Sequence, residues 1–359
     1  MILNLQILRA IAAVLVILAH LKFVLPAAAG QLPELLHGAG LSCGVDLFFV
    51  LSGFVIAHTA LKSDPGWKQF LTNRIIRVMP LYWLATLPFL IPAVTKAVAK
   101  GDLPFRTIWN SIFLVPVLDK LGINDPAHPF GWTLSFEMWF YVLFSLLLVA
   151  LPARKVPWAL IAIFAVSAPL PFLWKLSWKF PYFAFHPMCW EFAMGCGAYL
   201  LTRKARLGPK TALAMLVLGT GLLLSTALLF EYLGWHNSIR MVPVLSAQRA
   251  LFWGVPAFLI VVSCVWCEPL LPKRNPVVRL LVELGAASYA IYLVQPLVFR
   301  FLRTMSAPLG SVHWLAGAVA CTLLCCAAGW VVHRLVELPL TAWLRSTVRR
   351  REAAVQATA

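Results

Sequence analysis

Four ionisable side chains lie within apolar stretches of this 359-residue chain: His20, Asp46, Glu137 and Glu191. Charge in an apolar span is costly and marks function by default. A histidine oriented by a carboxylate titrates near neutrality and serves as a general base. His20, Glu137 and Asp46 are therefore the candidate catalytic set. Glu191, in the segment CWEFAMG, is the candidate to support it. Three arginines form a second set. Arg74 and Arg77 are three residues apart in FLTNRIIRVMPLYW, on one face of a short amphipathic helix expected to lead into the third span. Arg9 precedes His20 by eleven residues. Guanidinium forks suit phosphate groups.

Helices must position these groups. Hydrophobic residues make up 61% of the chain and charged residues only 12%. Soluble domains carry about 25% charged residues. This excludes an ordinary soluble enzyme, a disordered chain and a disulfide-stapled secreted scaffold. Apolar segments predict helices near 5–25, 42–61, 78–98, 133–151, 156–174, 184–202, 211–230, 249–267, 281–302 and 314–333. The expected fold is an all-α, polytopic membrane helix bundle of about ten spans. The stretch 105–120 holds Pro116 between Asp102 and Asp119 and is expected to be a re-entrant or interfacial helix. Residues 1–340 form the expected membrane domain, and 341–359 a basic cytoplasmic tail.

The formal charge is +17. The Lys and Arg are scattered in short loops, which points to membrane topology and lipid headgroups rather than nucleic acid. With the N-terminus inside, 19 of the 30 basic residues fall on cytoplasmic segments. That bias predicts both termini in the cytoplasm and an even number of spans. Ala27-Ala28-Ala29 resembles a signal cleavage site, but His20 and Lys22 interrupt the apolar run, so the first helix is expected to stay uncleaved. Cys264 and Cys267 have CxxC spacing without a second pair or a nearby His, and no metal site is expected.

Depth follows from this topology. His20 lies about 22 Å along helix 1, and Asp46 enters from the far side on helix 2. Glu137 falls about 8 Å into helix 4 from the same side. The three groups are thus expected at similar depth in the outer half. Arg9, about 16 Å from His20, is level with Arg74 and Arg77 at the cytoplasmic mouth. A phosphorylated ligand with a long thin arm would span that distance, and acyl-coenzyme A has this shape.

Each assignment has a purely structural rival. Arg74 and Arg77 would also serve as positive-inside anchors, Asp46 as an ion-pair partner, and His20 as a packed, hydrogen-bonded residue. Glu137 is hardest to dismiss, since an uncompensated carboxylate costs about 2.5–3.5 kcal/mol in a span. His37, His58, His128, His236, His313 and His333 lie mostly near loops or helix ends and receive no role.

The motifs together resemble the acyltransferase-3 family of bacterial integral membrane proteins. The resemblance rests on Arg9 and His20 in LQILRAIAAVLVILAH, GVDLFFVLSGFVI, the RxxR pair with PLYW, and WTLSFEMWFY. It continues through EFAMG, ELGAASYAIYLVQPLV and HRLVELP. Within the family the start is most like the exopolysaccharide O-acetyltransferases of the succinoglycan type. The resemblance implies acyl transfer, most simply acetyl, from cytoplasmic acyl-CoA (acetyl-CoA) to a hydroxyl of an extracytoplasmic or lipid-linked glycan. It assigns the family's Arg and His to Arg9 and His20, its RxxR pair to Arg74 and Arg77, and its motif Glu to Glu137. Trp132 and Tyr141 stand as acceptor or support residues. Gln295 occupies a position where the family often has His. Many members add a C-terminal hydrolase-like domain, so here direct transfer, or delivery to a partner such as polysaccharide assembly machinery, is expected. Acyl-CoA is a co-substrate, no tightly bound cofactor is implied, and the site is the bacterial inner membrane. The rival class is a proton-coupled transporter of a small anionic or sugar-like solute. The lack of repeated halves counts against it.

Overall fold

The computed structural model describes residues 2–24, 40–115, 117–119, 122–124, 126–173, 183–233, 243–304 and 313–358. Ala27 to Ala29, His37, Pro116, Lys120 and His236 lie outside the described residues.

The chain is a helical bundle. Its helices are α1 (Leu3–Ala19), α2 (Cys43–Ser63), α3 (Trp67–Ala99), α4 (Phe105–Phe113), α5 (Gly131–Ala150) and α6 (Val156–Ser167). They continue with α7 (Cys189–Lys204), α8 (Pro209–Tyr232), α9 (Pro243–Arg249), α10 (Val255–Trp266), α11 (Pro276–Ala286) and α12 (Ser288–Thr304). The last two are α13 (Trp314–Val332) and α14 (Leu338–Thr358). Among the described residues, seven helical stretches are long and apolar enough to cross a membrane, or eight if the pair α11–α12, bent by 72°, counts as one span. Helices α1 and α7 have 17 and 16 residues and fall short of that length. The expected ten segments thus include two short helices and one bent pair.

Three segments add detail to the expected layout. The RxxR pair does not sit on a separate amphipathic helix, because α3 runs unbroken for 33 residues through Pro80, Pro88 and Pro92. The 105–120 stretch is the nine-residue α4 followed by a short antiparallel pair, β1 (Val117–Asp119) and β2 (Gly122–Asn124). A nine-residue helix is about 14 Å long and cannot cross. Position 340 falls inside α14, which continues to Thr358.

Helices α2 and α7 form the inner seam. A Cβ on Gly53 would lie 2.1 Å from the Phe192 carbonyl oxygen, and one on Gly195 would lie 2.1 Å from that of Val50. Such small-residue contacts let helix backbones approach in lipid, where apolar burial supplies no drive between helices. Two π-helical turns interrupt the bundle, Ala250–Gly254 and His333–Glu337. Turns of this kind recur at functional sites. Here each adjoins a buried ion pair.

Candidate active site

A cavity of about 430 Å³ runs between α1, α2, α3, α5, α12 and α14. Its α2 wall extends from Val45 to Thr59, a rise of about 21 Å, so the space is long. Arg9, Arg74, Arg77 and Arg345 line it with Asn73 and Thr59. Glu137, Ser52 and Tyr141 line its middle, and Thr133 and Tyr292 its far end.

Four of the six residues placed in the catalytic and phosphate sets from sequence meet here: Arg9, Arg74, Arg77 and Glu137. Tyr141 joins them. Arg74 donates to the Thr59 hydroxyl at 2.7 Å and lies over the rings of Phe70 and Tyr141. Its guanidinium therefore faces inward rather than toward headgroups. Arg77 pairs with Glu337 at 2.9 Å. Glu337 is fully buried, and its other oxygen meets His333 Nδ1 at 2.7 Å. Arg9 has no hydrogen-bond or ion-pair partner among the described residues, and the charges of Glu137 and Glu337 act on it across the cavity. Glu137 accepts hydrogen bonds from Ser52 at 2.9 Å and from the Tyr141 hydroxyl.

His20 is not in the cavity wall. Its ring packs on Phe130 with centroids 4.8 Å apart, and Phe130 packs on Tyr292 at 5.0 Å. One aromatic layer thus divides His20 from the cavity's far end. His20 Nδ1 lies 2.7 Å from the Val16 carbonyl, which takes the Nδ1 proton in the neutral ring. That tautomer leaves Nε2 with a free lone pair. Gln295 donates to the same carbonyl at 3.2 Å, so the residue standing in place of a second His supports the helix turn beneath His20.

The expected level of the two carboxylates is corrected. Neither reaches His20. The start of α5 is buried, with Gly131, Thr133, Leu134 and Ser135 all inside, and buried His128 bonds the Leu293 carbonyl just before it. Because α5 begins inside the bundle, Glu137 sits closer to the arginines than its count from the helix start implied. Asp46 points elsewhere. Arg249 donates to both its oxygens, at 3.0 and 2.7 Å. Fully buried Glu191 lies beside that pair. Asp46 thus has the ion-pair geometry of its structural rival. Trp132 stacks edge-on against Phe136 and does not line the cavity.

Sequence reasoning missed Arg249, Arg345, Glu337 and His333. Each lies near the end of an apolar run, where a charge reads as a loop residue. The signal available was HRLVELP, whose His and Glu are four apart and face each other on a helix.

A multi-pass helical membrane protein with a long cavity, basic at one end and carrying a carboxylate midway, is the class defined so far. The chain belongs to the acyltransferase-3 family, whose acyltransferase domain matches residues 2–331. It is similar to acyltransferase MdmB of Streptomyces mycarofaciens, 30% identical over 351 residues, 87% of this chain and 83% of that one. The exopolysaccharide production protein ExoZ of Rhizobium meliloti is 34% identical over 105 residues, 29% of this chain and 33% of its own. The peptidoglycan O-acetyltransferase OatA of Listeria monocytogenes is 23% identical over 371 residues, 86% of this chain and 56% of its own. No solved structure matches the chain significantly. The protein is therefore a membrane acyltransferase.

Proposed function

We propose that the protein transfers an acyl group, most simply acetyl, from cytoplasmic acyl-CoA to a hydroxyl of a glycan on the far side of a bacterial inner membrane. The cavity carries this reading. Its basic end suits coenzyme phosphates, and its length suits the pantetheine arm. Arg9 and Arg74 bind the phosphates directly, while Arg77 contributes from its pair with Glu337. Glu137 sets the charge beside them and orders Tyr141 and Ser52. The names of the relatives ExoZ and OatA support an extracellular polysaccharide as acceptor.

In the reaction, the acceptor oxygen attacks the thioester carbonyl. A C–O bond forms, the C–S bond breaks, and coenzyme thiolate leaves and takes up a proton. His20 Nε2 receives the proton of the attacking hydroxyl, and the Val16 carbonyl holds the ring in the basic tautomer. Phe130 and Tyr292 stand between the cavity and His20, so transfer requires these rings to move aside.

Replacing His20 tests the reading. His20→Gln keeps size and polarity but offers no useful base. Turnover per folded molecule should fall about 10²- to 10⁴-fold. Coenzyme affinity should hold, because Arg9 lies about 16 Å away along α1 and shares its end of the cavity with Arg74 and Arg77. Thioester consumption and calorimetric binding on one purified sample measure both. A folded variant with near-normal turnover would end the role of His20. Absence of thioester consumption by the wild-type protein, with glycan present, would end the coenzyme reading.

A further inference from the structure

A second space adjoins the mouth of the cavity. Helices α3 and α14 enclose a groove of about 290 Å³. Gln69, Thr72 and Asn73 face it from α3, and Arg345 and Arg349 from α14. Spacings of three and four residues put each group on one helix face. Asn73 and Arg345 line both spaces, so the groove continues the cavity outward. Among the described residues, no acidic one lines it. Neither Arg345 nor Arg349 has a hydrogen-bond or ion-pair partner among the described residues. Two like charges four residues apart on one helix repel each other and gain from a shared anion. Helix α14 lies beyond residues 2–331, the part matched by the family.

We propose that the groove is a subsite for a phosphate monoester on the donor's nucleotide, namely the 3′-phosphate of coenzyme A. The inference rests on the coenzyme reading above. A monoester carries more charge than the coenzyme's diphosphate linkage has per phosphorus, and two guanidinium forks match it. The Gln69 and Asn73 amides and the Thr72 hydroxyl supply neutral hydrogen bonds. The diphosphate then falls on Arg9, Arg74 and Arg77, and the arm runs inward past Glu137.

The test compares coenzyme A with 3′-dephospho-coenzyme A by calorimetry, using the full chain in neutral detergent. The wild type should prefer coenzyme A by about tenfold or more, as for a charge-assisted contact. The double variant Arg345→Ala/Arg349→Ala should lose that preference, its affinity falling at least about tenfold more for coenzyme A than for the dephospho form. Its melting temperature should match the wild type, since both side chains are exposed and have no partner among the described residues. Arg345→Lys/Arg349→Lys should keep part of the preference. If coenzyme A binds but the preference survives in the double Ala variant, the subsite is wrong and the coenzyme reading stands. If the wild type binds neither coenzyme, both fall together. Phosphatidate is the control for the other source of a phosphate monoester. Stabilisation of the wild type but not the double variant by phosphatidate, with no coenzyme preference, would make the groove a lipid headgroup site and overturn the proposal.

Discussion

Arg74 and Arg77 share a helix face but not a chemical situation. Arg74 holds only the Thr59 hydroxyl and two aromatic rings. Arg77 holds Glu337, which is buried and also bonded to His333. Arg74→Ala should therefore weaken coenzyme binding about tenfold or more with little change in melting temperature. Arg77→Ala strands part of a buried carboxylate and should also destabilise the fold by about 1–3 kcal/mol. Adding Glu337→Gln to Arg77→Ala should restore some of that loss. Calorimetric affinity and thermal unfolding on the same samples separate the two, and equal stability effects would contradict the distinction. Residue type and spacing were enough to single out Arg9, Arg74, Arg77 and Glu137, because charge is rare in an apolar chain, whereas Tyr141 entered only through the family resemblance. Partners were not legible. Asp46 reads the same whether it faces His20 or Arg249, since the choice depends on how α2 is rotated against α9. Arg345 reads as a tail charge until α14 is seen to pack on α3.

At the scale of elements, glycine sets how closely helices approach. Gly53 and Gly195 bring α2 and α7 into backbone contact, whereas Gly221 in α8 has nothing within 4 Å of a Cβ position. Gly53→Ala should cost about 1–3 kcal/mol, because the obstacle is the Phe192 backbone and cannot rotate away. Gly221→Ala should be neutral or stabilising by about 0.5–1 kcal/mol, as alanine suits a helix interior better. Thermal unfolding in one detergent compares them, and a neutral Gly53→Ala would show that the seam is looser than the contact implies. Hydropathy located the helices well, because every long apolar run became helical. It did not show the bend at Ala287, since alanine carries no breaking signal. Nor did it show the buried start of α5, which depends on His128 and Phe130 tucking inward. That one displacement moved Glu137 from the level of His20 toward the arginines.

For the whole molecule, the decisive property is which end of the cavity faces which compartment. Three contacts bring distant parts of the chain to one end. The Leu3 and Asn4 amides donate to Glu268, at 3.0 and 2.9 Å, which sets the start of α1 beside the turn that leads to Lys273 and Arg274. Arg9 is about 9 Å further along α1 and shares the cavity with Arg74 and Arg77 of α3. Arg345 of α14 lines the same mouth. The N-terminal end, the RxxR pair and the C-terminal helix therefore lie on one side of the bundle. On the proposed reading that side faces the cytoplasm, the source of acyl-CoA, and the bias of Lys and Arg toward these segments supports it. Reporter fusions after Thr72 and at the C-terminus should both behave as cytoplasmic, fluorescent and without phosphatase activity. A fusion after Asp102 should show the opposite pattern. If the Thr72 or C-terminal fusion were exported, the arginines would open to a compartment without coenzyme. The mechanism would then lose its donor, and a carrier drawing an anion from outside would account better for the same cavity.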